Sequence, residues 1–234
     1  MIFLIVVNRR EIKYSISDSD YYRYLNLFNK ILKSDPHSKN GGYTIRSLYF
    51  DTFTDDDYYS KMNGEEVRKK IRLRLYDVNT NRVKLELKRK INVNQVKETV
   101  WISSDDAKSL IKCQYDVLLK YKEKTAQTIY NIMTLGQYRP VVLIDYDRRA
   151  FYHEENNIRL TLDSNIRSSE TNFDIFSENI PMVPAFTTYH AILEVKFNGD
   201  LFCWIAEVLR GRDTINQSLS KYCVSRSLFD QYLA

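Results

Sequence analysis

Lys70-Ile71-Arg72-Leu73-Arg74-Leu75, followed one turn later by Lys84-Leu85-Glu86-Leu87-Lys88, is the stretch that decides the fold. Side chains along a β-strand alternate between its two faces. In the first segment Arg68, Lys70, Arg72 and Arg74 therefore share one face, and Ile71, Leu73 and Leu75 share the other. In the second, Lys84, Glu86 and Lys88 lie opposite Leu85 and Leu87. Val67 to Tyr76 and Arg82 to Ile91 flank Asn79-Thr80-Asn81, so the pair predicts a long β-hairpin. The same parity recurs in Glu11-Ile12-Lys13, in Arg159-Leu160-Thr161-Leu162-Asp163 and in Glu194-Val195-Lys196.

Any one such strand could be the wet face of an ordinary antiparallel sheet. Five of them carry bases on the polar face, four with a lone acid beside them, where a merely soluble surface would also use Ser, Thr, Asn and Gln. The expectation is that these faces converge inside a barrel, with the Leu rows turned outward to helices. Such an interior is costly when empty, because like charges about 4 Å apart repel by roughly 4 kcal/mol at an effective dielectric near 20. It therefore implies a bound anion. Arg suits phosphate chains, since its fork donates two parallel hydrogen bonds. Glu11, Glu86 and Glu194 are hard oxygen donors suited to Mg²⁺ or Mn²⁺.

Around this centre the elements read as follows. Residues 2–16 form a strand, and Ser17-Asp18 caps a helix carrying Tyr21, Tyr24, Leu25, Phe28, Ile31 and Leu32. Asn40-Gly41-Gly42 is a turn, Tyr43 to Asp51 a strand, and Thr54 to Met62 a short helix. Gln95 to Ile102 is a strand, Ser103 caps a helix running to about Lys122, and Lys124 to Leu135 is another helix. Strands follow at Val141 to Phe151, Ile158 to Asp163 and Ile192 to Phe197, with 168–187 irregular. Two helices with a break near Gly211 fill Asp200 to Leu233. The fold class is α+β: an antiparallel eight-stranded β-barrel tunnel with flanking and plugging helices, in one domain over 1–234. Trp101 and Trp204 read as core residues.

Composition narrows the function. A net charge of +5, from 35 bases and 30 acids, favours anionic partners. Three cysteines at unrelated spacings give no disulfide framework, which fits a reducing, cytoplasmic setting. The apolar run Met1 to Val7 is too short to span a membrane, and no other stretch approaches that length, so no membrane segment is expected. There is no phosphate-binding glycine loop and no nucleophile elbow. The run Asp55-Asp56-Asp57 reads as the acidic start of a helix rather than a metal site. Nothing marks a nucleic-acid binder, because the basic rows lie in regular strands that look inward.

The chain resembles the VTC domain, the catalytic domain of the vacuolar transporter chaperone polyphosphate polymerases, within the triphosphate tunnel metalloenzyme (CYTH-like) superfamily. The marks are Arg10-Glu11-Ile12-Lys13-Tyr14, Ser47-Leu48-Tyr49-Phe50-Asp51, Lys70-Ile71-Arg72-Leu73-Arg74, Lys84 to Lys90, Tyr146 to Phe151, Ile158 to Asp163, Leu193 to Lys196 and Ser220-Lys221-Tyr222. The resemblance implies a phosphotransferase that moves the γ-phosphate of ATP onto inorganic polyphosphate with a divalent metal. It implies that Lys13, Arg72, Arg74, Lys88, Arg148, Arg159 and Lys221 contact phosphate, with Glu194 the main metal ligand beside Glu11 and Glu86. Arg10, Lys70, Lys84, Tyr146, Lys196 and Ser220 would add to substrate binding. The superfamily often opens with ExExK, whereas Arg9 stands here at the first acid, which favours the polymerase branch. A metal-dependent triphosphatase or polyphosphatase, and a non-catalytic polyphosphate- or nucleotide-binding module, remain the alternatives. Protein partners are not legible.

Overall fold

A computed structural model describes residues 9–38, 41–92, 94–186, 191–210 and 219–230, apart from the side chains of Arg9, Arg210, Phe229 and Asp230. Residues 2–8 of the expected first strand, Asn40 of the expected turn, and the expected helix break at Gly211 lie outside the described residues, as does the helix end at Leu233.

In chain order the elements are β1 (Arg9–Ile16), α1 (Asp18–Ile31), β2 (Lys33–Ser34), β3 (Tyr43–Asp51), α2 (Asp56–Met62), β4 (Val67–Leu75), β5 (Arg82–Ile91) and β6 (Asn94–Ser103). Then come α3 (Ser104–Ile111), α4 (Lys124–Leu135), β7 (Arg139–His153), β8 (Ile158–Ser169), β9 (Val183–Pro184), β10 (Ala191–Asn198), α5 (Cys203–Arg210) and α6 (Lys221–Asp230). The architecture is α+β with antiparallel strand pairing, as the sequence predicts. The chain forms two compact units: residues 1–43, 146–166 and 186–219 in the first, and 44–145, 167–185 and 220–234 in the second. β7 and β8 contribute residues to both.

In the first unit the strand order is β1-β10-β8-β7. Leu160, Leu162, Leu193 and Val195 are fully buried on one face, packed with Tyr24 and Phe28 of α1 and with Ile205 of α5. The phenyl rings of Phe28 and Phe151 meet edge to face at 5.6 Å. Ser17 caps α1 by accepting from the Asp20 N–H at 3.2 Å, as its position in the sequence predicts. Gly42 sits at φ +130°, and a Cβ there would come within 2.8 Å of the Arg148 carbonyl oxygen. Only glycine permits that close approach in the turn before β3.

In the second unit the order is β7-β3-β4-β5-β6. Leu73, Leu85 and Leu87 are fully buried against Ala107 and Leu110 of α3 and Ala126, Ile129 and Met133 of α4. The Leu rows of the hairpin therefore face helices, and the charged rows occupy the other face. The strand ladders end on β1 in the first unit and β6 in the second, and the ring of hydrogen bonds that a closed barrel requires is not among the described pairings.

Three expectations differ. The helix expected to reach Lys122 stops at Ile111. Cys113 takes a left-handed φ of 61°, and a separate 3-10 turn at Tyr115–Lys120 follows. Both segments contribute buried residues to one core, Leu110 and Leu118, which is why their apolar spacing reads as one helix. The strand expected to end at Asp163 continues to Ser169, past Asn165 at φ 50°. Trp101 and Trp204 are not core residues: they are 44% and 38% exposed. No helix among the described residues is long and apolar enough to cross a membrane.

Leu85, with no exposure, sits in the middle of the second core. Leu85→Ala should cost about 2–5 kcal/mol of stability in urea unfolding. A loss below about 1 kcal/mol would show that the Leu row is not the packed face.

Candidate functional site

Strand register sets the charges of the second unit in rows. Lys70 lies opposite Lys88, and Lys88 lies opposite Lys97, so three lysines stand side by side across β4, β5 and β6. The next row is Arg72, Glu86 and Thr99, and the one after it Arg74, Lys84 and Trp101. Like charges directly opposite one another on a sheet repel. The acid on this face of the three strands is Glu86, and it gathers the cations around it. Its Oε2 accepts from Arg72 Nε at 2.6 Å, Lys97 pairs with Oε1 at 2.5 Å, and Arg74 stands at 3.9 Å. Arg74 and Glu86 are buried, which a solvated surface row would not be. Burial alone would raise the Glu86 carboxyl, yet Arg72, Arg74 and Lys97 together hold it down at about 2.

β3 supplies the neighbouring side chains. Tyr49 lies opposite Arg72, and its phenol accepts from Arg72 Nη1 at 2.9 Å; Ser47 lies opposite Arg74 and accepts from it at 3.3 Å. Burial would raise the Tyr49 phenol, but the charges of Arg72, Arg74 and Lys70 outweigh it and bring it down to about 8. Tyr49 stacks on Tyr222 of α6 at 5.1 Å. The Tyr222 hydroxyl donates to Asp51, whose carboxylate also accepts from the Asp57 and Tyr58 N–H groups at the start of α2. One buried carboxylate thus ties both helices to β3. Its anchoring fixes the N-terminus of α6, where Ser220 accepts from Lys70 at 2.7 Å and Lys221 begins the helix. The Asp55-Asp56-Asp57 run serves structure: Asp55 pairs with Arg226 at 2.7 Å and Asp57 with Lys69 at 3.1 Å.

The first unit uses a different pattern, pairing its bases with acids. Lys13 lies opposite Glu194, which lies opposite Thr161; Glu11 lies opposite Lys196, which lies opposite Arg159. Lys13 pairs with Glu11 at 2.8 Å, and the Lys196 ammonium meets Glu194 and stands 3.8 Å from Glu11. Arg148 grips Asp163 through two bonds of 2.6 Å and lies 4.0 Å from Glu194. Burial disfavours the Arg148 charge, but Asp163 more than compensates and keeps the guanidinium ionised. Its positive centre also lies 5.3 Å from the Tyr146 ring. Arg159 pairs with Asp35 at 2.8 Å, and Arg10 is exposed, 3.8 Å from Asp200.

The carboxylates differ in what they could offer a divalent ion. Glu194 and Glu11 converge on one ammonium, and the buried Thr161 hydroxyl across from Glu194 has no hydrogen-bond partner among the described residues. Magnesium typically takes one or two carboxylates and fills its other positions with water and substrate phosphate. Glu194 and Glu11 fit that donor set, since a cation arriving with phosphate would exchange for Lys196. Glu86 fits poorly, because three cations already hold it. Among the described residues no cluster of three His, Cys, Asp or Glu side chains forms.

The structure therefore places the sequence-predicted residues in two sets, with Lys70, Arg72, Arg74, Lys84, Glu86, Lys88, Ser220 and Lys221 in the second unit. Arg10, Glu11, Lys13, Tyr146, Arg148, Arg159, Glu194 and Lys196 stand in the first. Sequence reasoning missed Tyr49, Thr161, Asp163 and Lys97 as members of these clusters. The first three stand in segments quoted for their pattern, and only strand register shows which bases they meet.

Basic rows on an antiparallel sheet and a pair of carboxylates on neighbouring strands suit a phosphate-handling protein. Residues 8–229 match the family profile of the VTC domain, and the chain belongs to that family. Among solved structures, a candidate adenylate cyclase of Bacillus halodurans matches with 14% identity and a TM-score of 0.50, over 88% of this chain and 86% of its own. The PH1819 protein of Pyrococcus horikoshii matches with 13% identity and a TM-score of 0.48, over 95% of this chain and 99% of its own. A comparison with curated proteins finds no match. The family resemblance read from the sequence is borne out.

Glu86 yields a pH prediction. Its folded-state value near 2 lies below the ordinary 4.5, so its stabilisation is complete above that ordinary value and is lost as the pH falls towards 2. The shift corresponds to roughly 3 kcal/mol. Glu86→Gln should be destabilised by about that much at neutral pH, and the gap to the unaltered protein should close in urea titrations at decreasing pH. A gap that stays constant down to about pH 2.5 would contradict this role of the carboxylate charge.

Proposed function

We propose that the protein is a polyphosphate polymerase that transfers the γ-phosphoryl group of ATP to the end of an inorganic polyphosphate chain and releases ADP. The observation that carries this reading is the row of Lys70, Lys88 and Lys97 on adjacent strands, beside Arg72 and Arg74. Such a row is relieved by a polyanion, and a chain of phosphates offers charge at short, regular intervals. Membership of the VTC domain family supports it, and the one family match covers residues from both units, which supports a single functional domain.

In this reading Lys13, Arg148 and Arg159 take phosphate oxygens in the first unit, and Arg72, Arg74, Lys88 and Lys221 take them in the second. Arg10, Tyr146, Lys196, Lys70, Lys84 and Ser220 add to substrate binding. Mn²⁺ or Mg²⁺ would be held by Glu194 with Glu11, where it would neutralise charge on phosphate oxygens. Glu86 instead orients Arg72 and Arg74.

A terminal oxygen of the polyphosphate chain attacks the γ-phosphorus. The new P–O–P bond forms as the bond from that phosphorus to the β,γ-bridging oxygen breaks, and ADP leaves with the electron pair. The attacking oxygen is already anionic, so no strong general base is required. What the reaction needs is positioning and fixed positive charge, and ion-paired guanidinium groups supply both. A cytoplasmic setting, with its supply of ATP, fits this reading.

Incubation with ATP and Mn²⁺, followed by a gel stained for polyphosphate and an ADP assay, should give polymer together with ADP. ADP and free phosphate without polymer would make the protein a hydrolase, and polyphosphate binding without turnover a binding module. Arg72→Ala and Arg74→Ala combined with Glu86→Gln, so that no buried carboxylate is left without its cations, should weaken polyphosphate binding on the order of a hundredfold or more. Unchanged affinity would remove these residues from the site. Glu194→Ala should abolish metal-dependent turnover while leaving measurable polyphosphate binding, and full turnover in that variant would refute the metal assignment.

A further inference from the structure

Trp101 lies between Val100 and Ile102, which are each 1% exposed and belong to the core, while its own indole stands on the opposite, charged face at 44% exposure. The partly exposed indole therefore stands on a sheet face rich in bases. Its surroundings are specific. The Lys84 ammonium is 5.0 Å from the indole centroid and 4.9 Å from the ring of Tyr76. Tyr76 is also 44% exposed, and its hydroxyl accepts from Lys84 at 3.5 Å. The Arg82 guanidinium lies 5.4 Å from the indole.

Register continues the argument. Trp101 lies opposite Lys84, and Lys84 lies opposite Arg74, the neighbour of Arg72 along the same face of β4. Two strand spacings, roughly 10 Å, separate the indole from Arg74. That is the reach of a nucleoside triphosphate from its base to its outer phosphates. An aromatic π-face stacks any nucleobase, and cations beside it hold the charge that follows the base.

We propose that Trp101, with Tyr76 beside it, is the subsite that stacks the nucleobase of a nucleoside triphosphate, with Lys84 and Arg82 guiding the triphosphate towards Arg74 and Arg72. The inference rests on the reading of ATP as substrate. It assigns to this chain a distinction between two ligands that a purely phosphate-reading site would treat alike: ATP and inorganic tripolyphosphate.

The test measures affinities for both ligands by calorimetry in the unaltered protein, Trp101→Ala and Trp101→Phe. Trp101→Ala should weaken ATP about tenfold or more and change tripolyphosphate by less than about twofold, while Trp101→Phe keeps most of the ATP affinity. In a Trp204→Phe background, ATP should quench the remaining indole fluorescence and tripolyphosphate should not. Equal losses for the two ligands, or no loss for ATP, would overturn the subsite while leaving the phosphate-binding reading intact. An unaltered protein that binds neither ligand would overturn the substrate reading and this inference with it.

Discussion

Repulsion between cations on adjacent strands is the constraint around which the second unit is arranged. Lys70, Lys88 and Lys97 stand in one row, with Arg72 and Arg74 in the rows beyond. A sheet tolerates this only if something else holds its strands together. The Leu rows on the opposite face do so, packing Leu73, Leu85 and Leu87 without exposure against α3 and α4. Burial of those side chains contributes roughly 1.5–3 kcal/mol each, the same order as the repulsion it must offset. Glu86 completes the balance by drawing Arg72, Arg74 and Lys97 onto one carboxylate.

The two units solve the same electrostatic problem differently. In the first, bases are paired with acids: Arg148 with Asp163, Arg159 with Asp35, Lys13 with Glu11, and Lys196 with Glu194. These pairs fix the bases in place before any ligand arrives, so little reorganisation remains at binding. In the second unit the bases outnumber the single acid on their face, which leaves a local excess of positive charge. An excess of positive charge attracts anions, whereas prearranged pairs present their bases with little reorganisation.

Beneath the charged face, a small set of buried hydrogen bonds sets the geometry. Asp51 joins β3, α2 and α6 through the Asp57 and Tyr58 amides and the Tyr222 hydroxyl. Tyr222 stacks on Tyr49, and Tyr49 in turn accepts from Arg72. A line of contacts thus runs from the C-terminal helix to the central arginine. Burial raises the Tyr222 phenol, and Asp51 raises it further, so it remains a donor. The Tyr49 phenol moves the other way under the influence of Arg72, Arg74 and Lys70. Neighbouring charge, not burial, decides the direction for Tyr49.

The alternation in Lys70 to Leu75 and Lys84 to Lys88 by itself determined the hairpin and the face on which the bases lie, because a strand has a period of two whatever surrounds it. The motif segments likewise contained most of the residues that the structure gathers into clusters. Only the tertiary structure decided which residues meet. Asp35 lies outside every pattern in the sequence, yet it pairs with Arg159 across more than a hundred residues. Glu86 reads equally as a metal ligand or an ion-pair partner until the register sets Arg72 and Lys97 beside it. Trp101 reads as core by its chemistry, but its parity on β6 puts it on the charged face, and the register with β5 sets Lys84 opposite it. Alternation fixes a side chain's face locally, whereas its partner depends on how distant strands align, and that alignment is set by packing.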